Sequence, residues 1–428
     1  MARVAKRPQV LSAAIWACAM VGAHAAPAHA QSDVRLFTPD TIELTGDVRL
    51  VAVDGEPSWL DGGLGKLRSG SAGELGVKPQ LGNLSVVWRP QLSWSLGATV
   101  VGSIEGGERT KAGVSEAYLS FRPMRSATMA LSARAGLMWP PVSLEHEGAD
   151  WHVADSITPS AINSWIGEEV RPLVGEATLA ADFGPHKVRA TLAAMVANDT
   201  AGTLLTFRGW ALHDRTTLGF NRQPLPPLGP ALGSLQAPFT HPLLDVHGGF
   251  ARHPGYYAKL SWQPPVPVRI DLFRYDNQAD PEDVNAELEW GWRTQFTDIG
   301  AVAELGGGAR LKVQAIDGRT RMGFVLDGER WIDCRFRSAF VLLTRPFGAF
   351  GLAARGEAFD TRNAGSLAGS DYDERGWSAM VAAKRDWAAF TGIVELLHVS
   401  SRRDDRDEFG LAPRQGQTQV QAQLRIHW

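Results

Sequence analysis

The sequence predicts an all-β fold, a transmembrane antiparallel up-and-down β-barrel of about 16 strands. Three observations lead to this prediction: a regular alternating strand at the C-terminus, similar alternating segments along the whole chain, and an export signal at the N-terminus. In a membrane barrel the hydrophobicity is hidden in such alternation, because one face of each strand meets lipid and the other faces the lumen.

The C-terminal strand is the most regular of these segments. Residues 417–428 alternate between an apolar set that ends on Trp428 and a polar set of glutamines followed by Arg425 and His427. A period of two is typical of a strand with one apolar and one polar face. The final aromatic residue resembles the terminal assembly signal of Gram-negative outer-membrane barrels. We therefore expect Trp428 to be that signal, with the barrel-assembly machinery as its partner.

The N-terminus has the pattern of a secretory signal peptide. A basic start is followed by an apolar run over residues 10–22 and by the triplet Ala28-His29-Ala30, which has small residues at its first and third positions. We predict that residues 1–30 are the signal peptide, with Ala25 as a second candidate cleavage site. Residues 31–41 would then be a periplasmic N-terminal segment, and residues 42–428 would form the barrel.

Composition excludes several classes of protein. Loss of the signal peptide removes three of the 43 basic residues and leaves 40 against 46 acidic ones, a net charge of −6, so no nucleic-acid partner is expected. The one remaining cysteine, Cys334, cannot form an internal disulfide. No later apolar run is long enough for a spanning helix. Catalytic, nucleotide-binding and zinc-binding motifs were not found, so we expect no enzyme activity, no cofactor and no metal.

Sixteen alternating segments are long enough to cross a membrane as tilted strands. The seven tightest connections all follow even-numbered strands, which is the pattern of a barrel with short periplasmic turns, long outer loops and both termini on the periplasmic side. The predicted strands are 42–53, 80–89, 92–104, 113–122, 127–138, 171–183, 187–198, 255–264, 268–275, 287–305, 309–316, 331–345, 349–358, 374–385, 388–399 and 417–428.

The longest connection, residues 199–254, is rich in proline, which does not favour regular strands in its second half. We expect a long extracellular loop that acts as a lid, as a latch to a neighbouring subunit, or only as a surface loop. If part of it crossed the membrane with a partner strand, the barrel would have 18 strands.

Taken together, the signal peptide, the order of strands and turns, the run at residues 166–171 and the terminal Trp428 resemble a Gram-negative outer-membrane porin, in the phosphate-selective-porin-like group of 16-stranded β-barrels. The resemblance implies an outer-membrane location in contact with lipid, a homotrimer, and a water-filled channel for passive diffusion of small hydrophilic solutes or ions. Phosphate-specific members carry a dense arginine ladder and a lysine cluster. Here acidic residues are interspersed, so the solute stays open.

The resemblance also implies a role for residues 139–170, between the fifth and sixth strands. The corresponding loop of 16-stranded porins folds into the barrel and narrows the channel. A helix is predicted to begin with Thr158 as N-cap and Pro159 at the first position, and to stop at Gly167. Carboxylates at a constriction favour cations, whereas on a solvated outer loop they would filter nothing. The acidic candidates are Glu145, Glu147, Asp150, Asp155, Glu168 and Glu169.

Basic residues on the barrel wall are expected to face this acidic loop. Arg335 and Arg337 are two apart on one strand and should share a face. A basic wall opposite an acidic loop would create a transverse field in the pore. The predicted inward basic residues are Arg49, Arg89, Arg122, Arg293, Arg310, Arg335 and Arg337.

A second class of function remains open. A barrel plugged by its own loops could act as a surface-binding protein or as a barrel enzyme, with a Ser and His pair outside the lipid belt.

Overall fold

The computed structural model describes residues 34–71, 75–106, 112–229, 232–246, 254–367 and 372–428. The predicted signal peptide, residues 1–30, lies outside the described residues. The chain forms a closed antiparallel barrel of sixteen strands, in which each strand pairs with its neighbours in sequence, and this confirms the predicted fold class. The strands are β1 Ile42–Val53, β2 Gly76–Trp88, β3 Leu96–Glu105, β4 Ala112–Arg125, β5 Met129–Leu137, β6 Leu173–Phe183, β7 His186–Val196, β8 Gly255–Gln263, β9 Val268–Asp276, β10 Arg293–Glu304, β11 Arg310–Leu326, β12 Glu329–Phe347, β13 Phe350–Asn363, β14 Glu374–Asp386, β15 Phe390–Arg403 and β16 Arg414–His427.

The seam between the first and last strands closes the barrel. β1 and β16 pair from Thr45 opposite His427 to Val53 opposite Gln419. The terminal residue continues this ladder, because the Trp428 amide donates to the Leu44 carbonyl at 2.9 Å and the Leu44 amide donates back at 2.7 Å. Closure leaves no unpaired sheet edge.

The two ends of the barrel differ, and we name them by their connections. At the short-turn end, strands are joined by brief turns such as residues 184–185 and 348–349, and this end carries the seven turns that follow even-numbered strands. At the long-loop end the connections are longer, except that β11 and β12 meet in a two-residue turn at Asp327 and Gly328. Both turn residues have positive φ, 53° and 87°, which suits a tight hairpin. These two strands therefore extend beyond their predicted bounds. The described residues between β7 and β8 add no strand to the barrel.

Side chains alternate between the lumen and the outer face, but on two strands the prediction of the faces was wrong. On β10, Phe296 points into the lumen and Arg293 points outward. On β12, Phe336 points into the lumen, so Arg335 and Arg337 lie on the outer face. The physical reason is that loops fill the lumen beside these strands. The inward positions are therefore buried, and several of them are aromatic, such as Phe296, Phe336 and Phe340.

The hydrophobic core lies inside the barrel. Two short helices, α1 Ala161–Glu169 and α2 Thr203–Arg208, are buried in the lumen. Trp165 of α1 packs against Phe296 with ring centroids 5.4 Å apart, and against Phe336 at 5.1 Å. No helix in the described ranges has the length and apolarity needed to cross a membrane.

Candidate functional site

The segment between β5 and β6, residues 138–172, runs through the lumen, and we call it the lumen loop. Its helix α1 has Ser160 as N-cap, whose hydroxyl accepts a hydrogen bond from the Asn163 amide at 3.3 Å. The helix thus begins two residues later than the predicted start at Thr158 and Pro159. It also continues past Gly167 to Glu169. The shift arises because Ser160 supplies the capping oxygen of the first turn.

Three carboxylates bind the amino end of α1 and the residues just before it. Glu145 accepts from the Ser160 amide at 2.9 Å, and Glu357 on β13 accepts from the Ala161 amide at 2.8 Å. Glu395 on β15 accepts from the amides of residues 157 and 158 at 2.7 and 2.9 Å. Carboxylates are stabilising here because a helix N-terminus has unpaired N–H groups and a positive dipole end.

Arg355 of β13 offsets part of this negative charge. Its guanidinium lies 2.9 Å from Glu145 and donates to the carbonyls of Thr158 and Pro159 at 2.8 and 2.9 Å. The side chains of Arg355 and Glu145 are completely buried. A buried ion pair therefore attaches the lumen loop to the barrel wall.

Glu168, near the carboxyl end of α1, joins the lumen loop to the long loop (residues 197–254). It lies 2.8 Å from Arg208, 2.5 Å from Arg215 and 3.1 Å from the His213 imidazole, and all four side chains are buried. Burial alone would raise the pKa of Glu168, but Arg208 and the other cations outweigh it and hold that pKa well below its usual range.

Glu169 makes a second link between the same loops. Its carboxylate accepts from the amides of Leu204 and Leu205, at the amino end of α2, at 2.9 and 3.0 Å. It also accepts from the Trp165 indole at 2.7 Å. Burial raises the pKa of Glu169 to about 7, helped by the neighbouring charge of Glu168. This carboxyl therefore titrates near neutral pH.

The first loop, residues 54–75, is tied into the same arrangement. Lys66 lies 2.5 Å from Glu374 of β14, and Arg68 lies 3.1 Å from Asp214 of the long loop. Asp214 also pairs with Arg49 of β1 at 2.7 Å. Burial opposes ionisation of Asp214, yet Arg49 and Arg68 lower its pKa. Three loops thus fill the long-loop end of the lumen.

The acidic candidates occupy different environments. Glu145, Glu168 and Glu169 lie in the lumen but are buried and partnered, so they do not line a water path in this state. Asp150 binds the Thr45 hydroxyl at 2.8 Å and His152 at 2.9 Å, and Asp155 pairs with Lys312 at 2.8 Å. Glu147 is exposed at the tip of the lumen loop.

The basic candidates also separate into groups. Arg49 faces the lumen but is buried. Arg89 and Arg310 lie at the short-turn end, where they pair with Glu43 and Glu304 at 2.6 and 2.7 Å. Arg122 is exposed at the same end, beside a β-bulge. Arg293, Arg335 and Arg337 are on the outer face, so the expectation that they line the pore was wrong.

A different set of basic residues faces the water-accessible part of the lumen. Arg189 on β7 is exposed, and Arg134 on β5 keeps 30% of its side chain accessible beside Glu176. Lys259 on β8 and Arg269 on β9 both lie 3.3 Å from Asp271. Sequence reasoning missed these four residues, although they occupy the polar positions of well-predicted alternating strands. We call them the basic wall.

One further cluster could hold a metal ion by its donor atoms. His241, Glu287 and Glu289 have ligand atoms within 4.8 Å of one another. His241 already binds Glu289 at 2.8 Å, and Glu287 pairs with Arg222 at 2.9 Å. The three side chains of the cluster therefore already have ion-pair partners, in each other or in Arg222.

Comparison with known proteins gives a likeness in fold. No family model and no curated protein matches the chain. Among solved structures, the outer membrane channel DcaP of Acinetobacter baumannii is similar, with 10% identity, coverage of 90% of this chain and 97% of that chain, and a TM-score of 0.53. The anion-selective porin from Comamonas acidovorans has 11% identity, coverage of 91% and 99%, and a TM-score of 0.50. At such identities the likeness establishes the barrel fold.

Proposed function

We propose that the protein is an outer-membrane porin that conducts small hydrophilic solutes or ions by passive diffusion. Residues 1–30 would direct export, residues 31–41 would lie in the periplasm, and residues 42–428 would form the barrel in the outer membrane of a Gram-negative bacterium. The support comes from the closed barrel, the exposed apolar side chains on its outer face, and the terminal Trp428, which we propose as the signal read by the assembly machinery.

The observation that carries the proposal is the division of the lumen. At the long-loop end three loops are held by buried ion pairs, and toward the short-turn end Arg189 and Arg269 of the basic wall are exposed. A basic wall attracts anions and repels cations. We infer that the open part is a vestibule for anionic solutes, with phosphate among the candidates because of the family resemblance of the sequence.

The described conformation corresponds to a closed or weakly conducting state. Residues 139–170 remain our candidate constriction, but they act by filling the lumen rather than by exposing a ring of carboxylates. Conduction then requires displacement of the long loop from the lumen loop, which makes the contacts of Glu168 and Glu169 the latch.

Planar-bilayer recording of the refolded protein tests this function. Stable conductance steps that are larger for anions than for cations are expected, together with block by the permeant solute. A liposome-swelling series with sugars, amino acids, dicarboxylates and phosphate would identify the solute class. Equal entry of all solutes of one size would contradict selectivity by the basic wall.

The filled long-loop end favours a second candidate, a plugged barrel that acts as a surface binder or a barrel enzyme. A bilayer that stays silent, even after the latch is broken by mutation, would favour this candidate over the porin.

The subunit arrangement is also a proposal. We infer a homotrimer from the resemblance of the sequence to porins. The outer faces of β6 and β7 suit such contacts, because they present alternating small and apolar residues such as Ala177, Leu179, Ala190 and Leu192. Chemical cross-linking in native membranes should give a trimer. A monomer at all cross-linker concentrations would contradict the homotrimer.

A further inference from the structure

The outer face of β11 to β16 carries a set of arginines that the channel does not use. Register places Arg319 opposite Arg335, and Arg335 opposite Arg362, on three adjacent strands. It likewise places Arg375 opposite Arg402, and Arg402 opposite Arg414. Cross-strand partners share a face, and like charges directly opposite each other destabilise a sheet. We call these six residues the arginine belt.

The carboxylates around the belt leave much of its charge uncompensated. Arg319 pairs with Asp333, Arg362 lies 3.5 Å from Asp360, and Arg402 lies 2.9 Å from Asp404. The other three arginines are exposed and form no ion pair with a carboxylate in the described part of the chain. These three are Arg335, Arg375 and Arg414.

The belt lies at one level of the barrel. Arg319 is 11 residues from Gly308, Arg335 is 13 from Gly348, and Arg375 is 12 from Trp387, all turns of the short-turn end. A tilted strand climbs about 2.5 Å per residue along the axis, so an apolar band of about 25 Å takes about ten residues. The belt therefore begins where the apolar band ends, at the outer-leaflet headgroups if the barrel inserts as proposed.

The residues below the belt fit this placement. Trp377, two positions from Arg375 on the same outer face, is 50% exposed, and Val381 and Val394 below it are also exposed. Tryptophan at the boundary of an apolar surface is typical of a membrane interface.

We propose that the arginine belt binds the phosphorylated headgroups of outer-leaflet lipid. Guanidinium groups bind phosphate oxygens in a bidentate manner, and a phosphate placed between opposed arginines removes their mutual repulsion. Two arginine triplets on adjacent strands match a headgroup that carries more than one phosphate. The inference rests on the outer-membrane location and is independent of conductance.

Binding of purified lipid A to the detergent-solubilised mature protein tests the proposal. The probe is hexa-acylated lipid A with two phosphates, compared with the same lipid after removal of the phosphates. We expect the phosphorylated lipid to bind at least about tenfold more tightly, and this preference to shrink as salt screens the arginines. Equal binding of the two lipids would show that only the acyl chains are recognised and would overturn the proposal.

Matched variants locate the site. The triple variant R335Q/R375Q/R414Q should bind phosphorylated lipid A at least about tenfold more weakly. The control R122Q/R345Q/R385Q removes the same charge at the short-turn end, outside the arginine belt and the basic wall, and should stay within about twofold of the wild type. An equal loss of lipid A binding in both variants would show that binding depends only on net charge, and it would contradict a site at the arginine belt.

A competition experiment separates the lipid from free phosphate. Inorganic phosphate at the concentration of the lipid should not displace it, and displacement would mean that the belt is a site for free anions. If the triple variant fails to fold, the comparison of the two lipids on the wild-type protein still decides.

Discussion

Glu168 is the side chain whose change most directly tests the latch. Glu168→Gln keeps the size of the side chain but removes the charge that Arg208 and Arg215 share at 2.8 and 2.5 Å. Both arginines would stay buried without their counter-ion. Removing one partner of a buried ion pair costs about 3–5 kcal/mol. The barrel wall is not altered, because Glu168 and its partners lie on loops.

The magnitude sets a clear expectation. If about 3 kcal/mol of the cost falls on the docking of the two loops, the ratio of docked to undocked states drops by about a hundredfold. Channel recordings should then show a higher open probability, and the amides of α1 should exchange hydrogen faster. The matched control is Glu147→Gln, the same chemical change at an exposed site of the same loop, which should behave like the wild type. Identical open probability and exchange in all three proteins would refute the latch.

Three other predictions concern pH, selectivity and assembly. The pKa of Glu169 is about 7 when the long loop is docked on the lumen loop, against an ordinary value of 4.5. The docked state therefore binds the proton more tightly than the undocked state. Docking is strongest below pH 4.5 and weakens by about 3 kcal/mol as the pH rises through 7. Open probability should therefore rise over that window in the wild type and stay flat in Glu169→Gln; a rise of equal size in both proteins would assign the titration to another group. Replacing Arg189 and Arg269 of the basic wall by Gln should shift the reversal potential in a salt gradient toward cations, and an unchanged potential would remove these residues from the ion path. Deleting Trp428 removes two backbone hydrogen bonds of the seam, each worth about 1 kcal/mol. The yield of folded barrel in cells should therefore fall, and a normal yield would show that assembly does not depend on Trp428.

The sequence was informative wherever a strand has an apolar outer face and a polar face toward the lumen. β2 and β16 meet that condition: Leu84 and Leu424 are exposed on the outer face, while Ser85 and Gln423 are buried toward the lumen. Strand number, strand order and the alternation of short and long connections follow from the same two-residue period, since turns interrupt it in a regular way.

The contents of the lumen could not be predicted in the same way. Glu168 and Arg208 are 40 residues apart in sequence, and Glu145 and Arg355 are 210 apart. No local pattern connects such pairs, because loops without repeated structure bring them together. The acidic cluster was recognised, but a sequence cannot distinguish a carboxylate that faces water from one that caps a helix inside the barrel. For Glu168 and Glu169 that distinction replaces the expected ion filter with the latch that we propose.

The inverted faces of β10 and β12 have a related cause, because loops fill the lumen beside these strands. Where loops fill the lumen, an inward position contacts protein, so Phe296 and Phe336 are the stable choices there. If the barrel inserts as proposed, the outward neighbours on the same stretch of strand lie above the apolar band, so Arg293, Arg335 and Arg337 are tolerated there. Polarity alternation along one barrel strand can thus reverse in sign between its two halves. On β10 the lumen face changes from Phe296 to Asp298 at the point where the outer face changes from Arg293 to Ile299.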